Sequence, residues 1–224
     1  MTEDEWLACE DPTKMLSFVR GDEGNRLPER RSRLFGVACC RRLSHLLVDG
    51  RSIRALEVVE RYADHAATAD ELDAAYDEAF AVEVYYAEHP DRRYSRQLEA
   101  LGRAANTVAE ACHPDELAEG LAREALSATR AAGISGEEAA FAILVRDIFG
   151  NSFRPVVFDP AWRTDTAVSL ARQMYESREF SAMPILADAL QDAGCDNPDV
   201  LNHCRGEGPH VRGCWVVDLV LGKG

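Results

Sequence analysis

The sequence predicts an all-α fold, an irregular multi-helix bundle of about nine or ten helices with one extended crossing segment near 152–160. Three observations carry this. Apolar residues recur at three- and four-residue spacing along most of the chain, helix start and stop signals are dense, and no segment alternates apolar and polar residues as a half-buried strand would. With 224 residues, 46% hydrophobic and 29% charged, the chain is long and apolar enough to bury a core without disulfides or metals.

Each element has a local cause. Asp11-Pro12 supplies an N-cap followed by proline at the first helical position, and Gly21 stands where a glycine would end that helix. From about Glu29 to Leu47, Phe35, Cys39, Leu43, Leu46 and Leu47 share one face. Ile53, Leu56, Val59 and Tyr62 or Ala63 form the stripe of the next helix, over about 52–65. Thr68 with Glu71 has the spacing of a capping box and opens a helix that ends before Pro90; Asp91 begins another, reaching about Cys112. His113-Pro114 restarts a helix that closes at Gly133. Phe141, Leu144, Val145 and Ile148 mark the helix that ends at Gly150-Asn151. Pro155, Val156, Val157 and Pro160 then disfavour helix, which accounts for the extended segment. Helices return through about Ser177, from Pro184 to Ala193 and from Asn197-Pro198 to about Cys204. After the turn Gly206–Pro209, His210 to Leu221 is expected as a helix, with a strand as the alternative because of Trp215-Val216-Val217. The expected organisation is a single domain over 1–224, with an alanine- and acid-rich helical hairpin or insertion over 68–133.

Composition excludes several functions. The most apolar C-terminal stretch, Val211 to Leu221, is broken by Arg212 and Asp218 and is too short to span a bilayer. The acidic start Met1–Glu5 is unlike a secretory signal, and seven scattered cysteines suit free thiols in a reducing compartment, so the expected location is cytoplasmic. A net charge of -14 argues against general nucleic-acid binding. Charge is uneven, however: between Arg26 and Arg54 eight arginines face only Glu29 and Asp49. Arg30, Arg31, Arg33, Arg41 and Arg42 either form a basic patch for an acidic protein partner or pair with acidic helices of the same fold.

The densest chemistry is C-terminal, where Cys195, His203, Cys204, His210 and Cys214 lie within twenty residues. Thiolate and neutral imidazole are ligands zinc prefers, and His210 and Cys214 at i, i+4 would share a helical face. Because Cys204 follows His203 directly, both reach one ion only if the backbone there is irregular. Without zinc, and so with no cofactor, the same residues read as buried thiols and capping imidazoles. Cys39, Cys40 and His45 read as packing rather than as a Cys–His catalytic pair, since no base, orienting group or oxyanion hole accompanies them. Asp147 is expected to accept from Arg146 or Arg154 and lock the chain reversal. Arg154, His210 and Arg212 are the candidates for binding an anionic ligand. No Walker loop, dinucleotide fingerprint, HExxH or GxSxG occurs.

Four blocks, Glu5–Cys9 with its acidic lead, Arg33–Arg42, Arg146–Pro155 and Gly208–Lys223, resemble a family of bacterial hypothetical proteins that share them around a variable alanine-rich middle. The resemblance implies no activity, and transfers no catalytic or binding residue; the many copies per genome in that family point to an interaction or regulatory module. The expected function is therefore non-enzymatic protein binding by an all-helical module. The alternatives are a metal- or thiol-dependent enzyme using the C-terminal Cys/His residues, and a binding module stabilised by structural zinc.

Overall fold

The computed structural model describes residues 1–21, 27–113 and 118–223. All regular structure among them is helical: α1 (Glu3–Ala8), α2 (Pro12–Arg20), α3 (Glu29–Arg42), α4 (Gly50–Ala63), α5 (Ala69–Ala87), α6 (Arg96–Cys112), α7 (Ala118–Ala132), α8 (Glu137–Phe149), α9 (Asp165–Ser177), α10 (Met183–Asp192), α11 (Pro198–Arg205) and α12 (Trp215–Leu221), with three single 3-10 turns. None of these helices is long and apolar enough to cross a membrane. Internal contacts divide the chain, expected as one domain, into two compact units, Met1–Val145 and Arg146–Gly224. The division falls inside α8 rather than at either edge of 68–133.

The caps read from sequence form as written. The Asp11 carboxylate accepts from the N–H groups of Thr13 and Lys14 at 3.0 and 3.1 Å, and Thr68 and Glu71 close their capping box. Asn197 accepts from Asp199 and Val200 at 3.0 and 3.2 Å. Residues 151–159 carry no helix, as their prolines require. The restart at His113-Pro114 lies outside the described residues. Two expectations are corrected. The helix expected from Asp91 breaks at Ser95, whose hydroxyl caps α6 instead, leaving Arg92–Tyr94 as a 3-10 turn. Ile53 is 47% exposed, because Ser52, Ala55, Leu56 and Val59 form the buried face of α4.

In the first unit the bulky core is Trp6, Met15, Leu16, Leu34, Phe35, Leu43 and Phe141, all essentially buried. The alanine-rich region is not core-poor. Ala75, Ala79, Ala100, Ala104, Ala105, Ala109, Ala122, Ala125 and Ala128 are buried, and α5 packs extensively on α6, as α6 does on α7. Methyl side chains let backbones approach closely, so contact replaces bulk. The helices of 68–133 pack directly on α3 and α4 as well as on one another.

The arginines of α3 are largely turned to acids of the same unit. Arg30 meets Asp64 at 3.0 Å, Arg41 meets the buried Glu60 at 2.9 Å, and Arg42 grips Glu137 with a forked pair of bonds of 2.6 and 2.9 Å. Arg33 is 5% exposed, paired with Glu29 at 2.9 Å and lying over the Tyr62 ring. Arg31 is half-buried. This arrangement is internal pairing, not an open basic surface.

Breaking the Arg41–Glu60 pair from the arginine side takes one charged partner from a buried carboxylate. Arg41→Met is expected to lower stability in urea unfolding by about 1–2 kcal/mol, and Glu60→Gln in the same chain to recover part of that loss.

Candidate metal centre

Four side chains of the second unit converge. Asp147 comes from the last turn of α8, His203 from the last turn of α11, His210 from the loop that follows, and Cys214 from the residue that precedes α12. One ligand atom from each lies within 4.8 Å of all the others. Asp147 Oδ1 is 2.8 Å from His210 Nδ1 and 3.2 Å from His203 Nε2; Cys214 Sγ is 3.2 Å from His203 Nε2 and 4.0 Å from His210 Nδ1. The group could hold a metal ion. Its side chains are closed off from solvent: Asp147 is 2% exposed, His210 8% and His203 18%. Cys214 is fully buried.

The surrounding structure aims these groups. Val211 donates its backbone N–H to Asp147 Oδ2 at 2.9 Å, which turns Oδ1 toward the two imidazoles. The His203 ring packs on His210 and on Trp215, at 4.8 and 5.1 Å between ring centres. Gly150 has φ +73°, and a Cβ there would stand 3.4 Å from the indole of Trp215. Glycine therefore both turns the chain after α8 and leaves room for the ring that backs the site. Arg212 is pinned elsewhere, donating to the Tyr175 carbonyl at 2.8 Å and lying over its ring.

Electrostatics follow from burial. Burial pushes the Asp147 carboxyl up, and the hydrogen bonds and positive charge offered by His203 and His210 outweigh it, leaving the group below the usual carboxylate value. Burial and then the Asp147 charge drive the Cys214 thiol well above its ordinary value, against the pull of the Val217 and Val216 N–H groups. Such a thiol is a poor nucleophile without a cation beside it. The geometry also fails as a catalytic relay. A Cys–His–Asp relay uses two different ring nitrogens, whereas here the thiol and the carboxylate both meet Nε2 of His203. Nε2 of His210 is buried and has no hydrogen-bond partner among the described residues.

Of the residues expected to bind metal, His203, His210 and Cys214 are brought together, while Cys195 and Cys204 are not in the group. Both lie in the apolar core of the second unit. Burial pushes Cys204 up to about 12. The regular turn of α11 sends Cys204 inward and leaves His203 to the site. His210 and Cys214 do not share a helical face: α12 begins only at Trp215, and the loop brings the pair together instead. Asp147 was expected to receive an arginine and receives imidazoles and a backbone N–H. The three anion-binding candidates are committed to different partners, with Arg154 at 3.4 Å from Asp199 and His210 on Asp147. In the first unit Cys39, Cys40 and Cys112 are buried thiols whose burial raises them, and none is in a metal-holding group among the described residues. Comparison with protein-family models, with curated proteins and with solved structures finds no match to this chain.

Two measurements check this description. Cys9 is the half-exposed thiol and the other six are buried, so a disulfide reagent is expected to titrate one thiol quickly in the native chain and seven after unfolding. Gly150→Ala forces a side chain into a left-handed backbone against Trp215 and is expected to destabilise by about 1–2 kcal/mol, read by urea unfolding.

Proposed function

We propose that residues 146–224 form a zinc-stabilised helical module, with one Zn²⁺ held by Asp147, His203, His210 and Cys214, and that the chain works by binding other proteins rather than by catalysis. The observation that carries this is the shape of the ligand group. Zinc bonds of about 2.0–2.1 Å to nitrogen or oxygen and about 2.3 Å to sulfur place tetrahedral ligand atoms about 3.3 Å apart, or about 3.6 Å for nitrogen and sulfur. The N–S separations of 3.2 and 4.0 Å lie on either side of their edge, and the N–O separations of 2.8 and 3.2 Å fall just short of theirs, so a small outward shift of the ligand atoms would admit the ion.

Chemistry supports the same ion. One carboxylate, one thiolate and two neutral imidazoles neutralise a divalent charge, and nitrogen with sulfur favours zinc over calcium or magnesium. A bound cation would deprotonate the Cys214 thiol that burial otherwise keeps protonated. Four protein ligands fill a tetrahedron, leaving no position for substrate or water, which is the pattern of a structural site. Such an ion would tie the ends of α8 and α11 to the start of α12. The seven free thiols suit a reducing, cytoplasmic setting. Membership in the bacterial family is proposed on the four sequence blocks alone.

Elemental analysis of the tag-free protein is expected to give about one zinc per chain. Asp147→Asn, His203→Ala and Cys214→Ser should each weaken zinc binding at least about tenfold, while Cys195→Ala and Cys204→Ala should keep the metal. A cobalt-substituted protein should show a tetrahedral spectrum whose thiolate charge-transfer band is lost in Cys214→Ser. A native chain that takes up neither ion would overturn the reading.

A further inference from the structure

α5 buries one apolar seam and leaves open a second helix-spaced line of small and acidic residues. Leu72, Ala75, Ala79, Val82 and Tyr86 are buried against α4 and α6. On the opposite side Ala74, Asp77, Ala81, Val84 and Glu88 follow one another at alternating three- and four-residue steps, all exposed except the half-buried Val84. This is the spacing by which one helix meets another. Residues beside such a seam contact the flanks of an incoming helix. Here they are Asp73 and Phe80 on one side and Glu78 and Tyr85 on the other, with Phe80 45% and Tyr85 60% exposed. Phe80 is held in place by stacking on Tyr76, with ring centres 5.8 Å apart.

The charge on this face selects the occupant. From Asp70 to Glu88 there are seven carboxylates and no lysine or arginine. Glu71 is bonded to Arg61 at 2.8 Å, and Glu78 lies in the field of Arg51 of α4 without a direct ion pair; Asp70, Asp73, Asp77, Glu83 and Glu88 make no ion pair among the described residues. This contrasts with α3, where arginines and acids are matched. Like charges at i, i+3 and i, i+4, as at Asp70, Asp73 and Asp77, destabilise a helix by a few tenths of a kcal/mol per pair until a cation neutralises them. A second copy would bring the same carboxylates against this seam, and anionic membranes or nucleic acids carry the wrong sign. Exposed aromatic rings beside carboxylates suit guanidinium, which can lie on the ring while its edge donates to the acid.

We infer that the open seam of α5 is a docking face for an arginine-rich amphipathic helix of a partner protein. Ala74 and Ala81 admit the partner backbone closely, and Phe80 and Tyr85 wall the seam on either side. Arginines of the partner reach Asp73, Asp77 and Glu78. The inference rests on the first unit and is independent of any metal in the second.

The probe is a fluorescent synthetic helix of three heptads, with alanine and leucine along its seam, an arginine at the seam position that meets Asp77, and arginine on both flanks, followed by anisotropy. Binding is expected at low salt and should weaken as salt rises. The double variant Phe80→Ala, Tyr85→Ala leaves the charge unchanged and should weaken binding about tenfold, as should Asp73→Asn with Glu78→Gln. All four positions are exposed, so circular dichroism should report unchanged helicity. The same peptide carrying glutamate for arginine should not bind. Equal binding by wild type and the aromatic variant would overturn the inference, because it would reduce the contact to diffuse attraction. So would sedimentation of the native chain as a dimer that Phe80→Ala dissociates, since a second copy would then own the face.

Discussion

Asp147 is a carboxylate with no access to water, and it is placed where three other elements must come to it. Its two oxygens are spoken for by a backbone N–H and two imidazoles. A buried charge left without partners costs several kcal/mol, so satisfying it constrains everything that supplies a donor. The loop after α11 must run close to α8 to offer Val211 and His210. That in turn sets where Cys214 stands, and Cys214 is the residue from which α12 begins. Trp215, next in the chain, fills the space that Gly150 leaves open. The irregular backbone between α11 and α12 follows from that one buried acid.

The first unit solves a different problem by a different means. Its helices carry few bulky residues between Thr68 and Gly133, and they hold together through alanine faces that approach closely. Charge is handled by matching: α3 meets α4, its own first turn and α8 through arginine–carboxylate pairs. α5, taken through Glu88, carries seven carboxylates and no lysine or arginine of its own, and of these Glu71 is paired with Arg61.

Much of the site was legible from residue types. His203, His210 and Cys214 stand out as a dense set of nitrogen and sulfur ligands. Cys195 and Cys204 look equivalent to them on paper, and only the direction of the α11 turn separates Cys204 from His203. Asp147 carried a signal that ligand counting passes over. It lies three residues after Leu144 and between Val145 and Ile148, all buried, so an acid there must be answered by donors from elsewhere. Its neighbouring arginines suggested the wrong donors, because proximity along the chain says little about which face of a helix a group shares.

The helical class, the caps at Asp11, Thr68 and Asn197, and the helix-free stretch before Pro160 were determined by the sequence alone. Each depends on atoms within four residues of one another, and local hydrogen bonding and the fixed φ of proline decide them without help. Only the tertiary structure decided that α12 starts at Trp215, that Ser52 and not Ile53 faces inward, and that Asp147, His203, His210 and Cys214, spread over sixty-eight residues, converge. Those outcomes balance burial of distant groups against local preference, and distance along the chain carries no information about that balance.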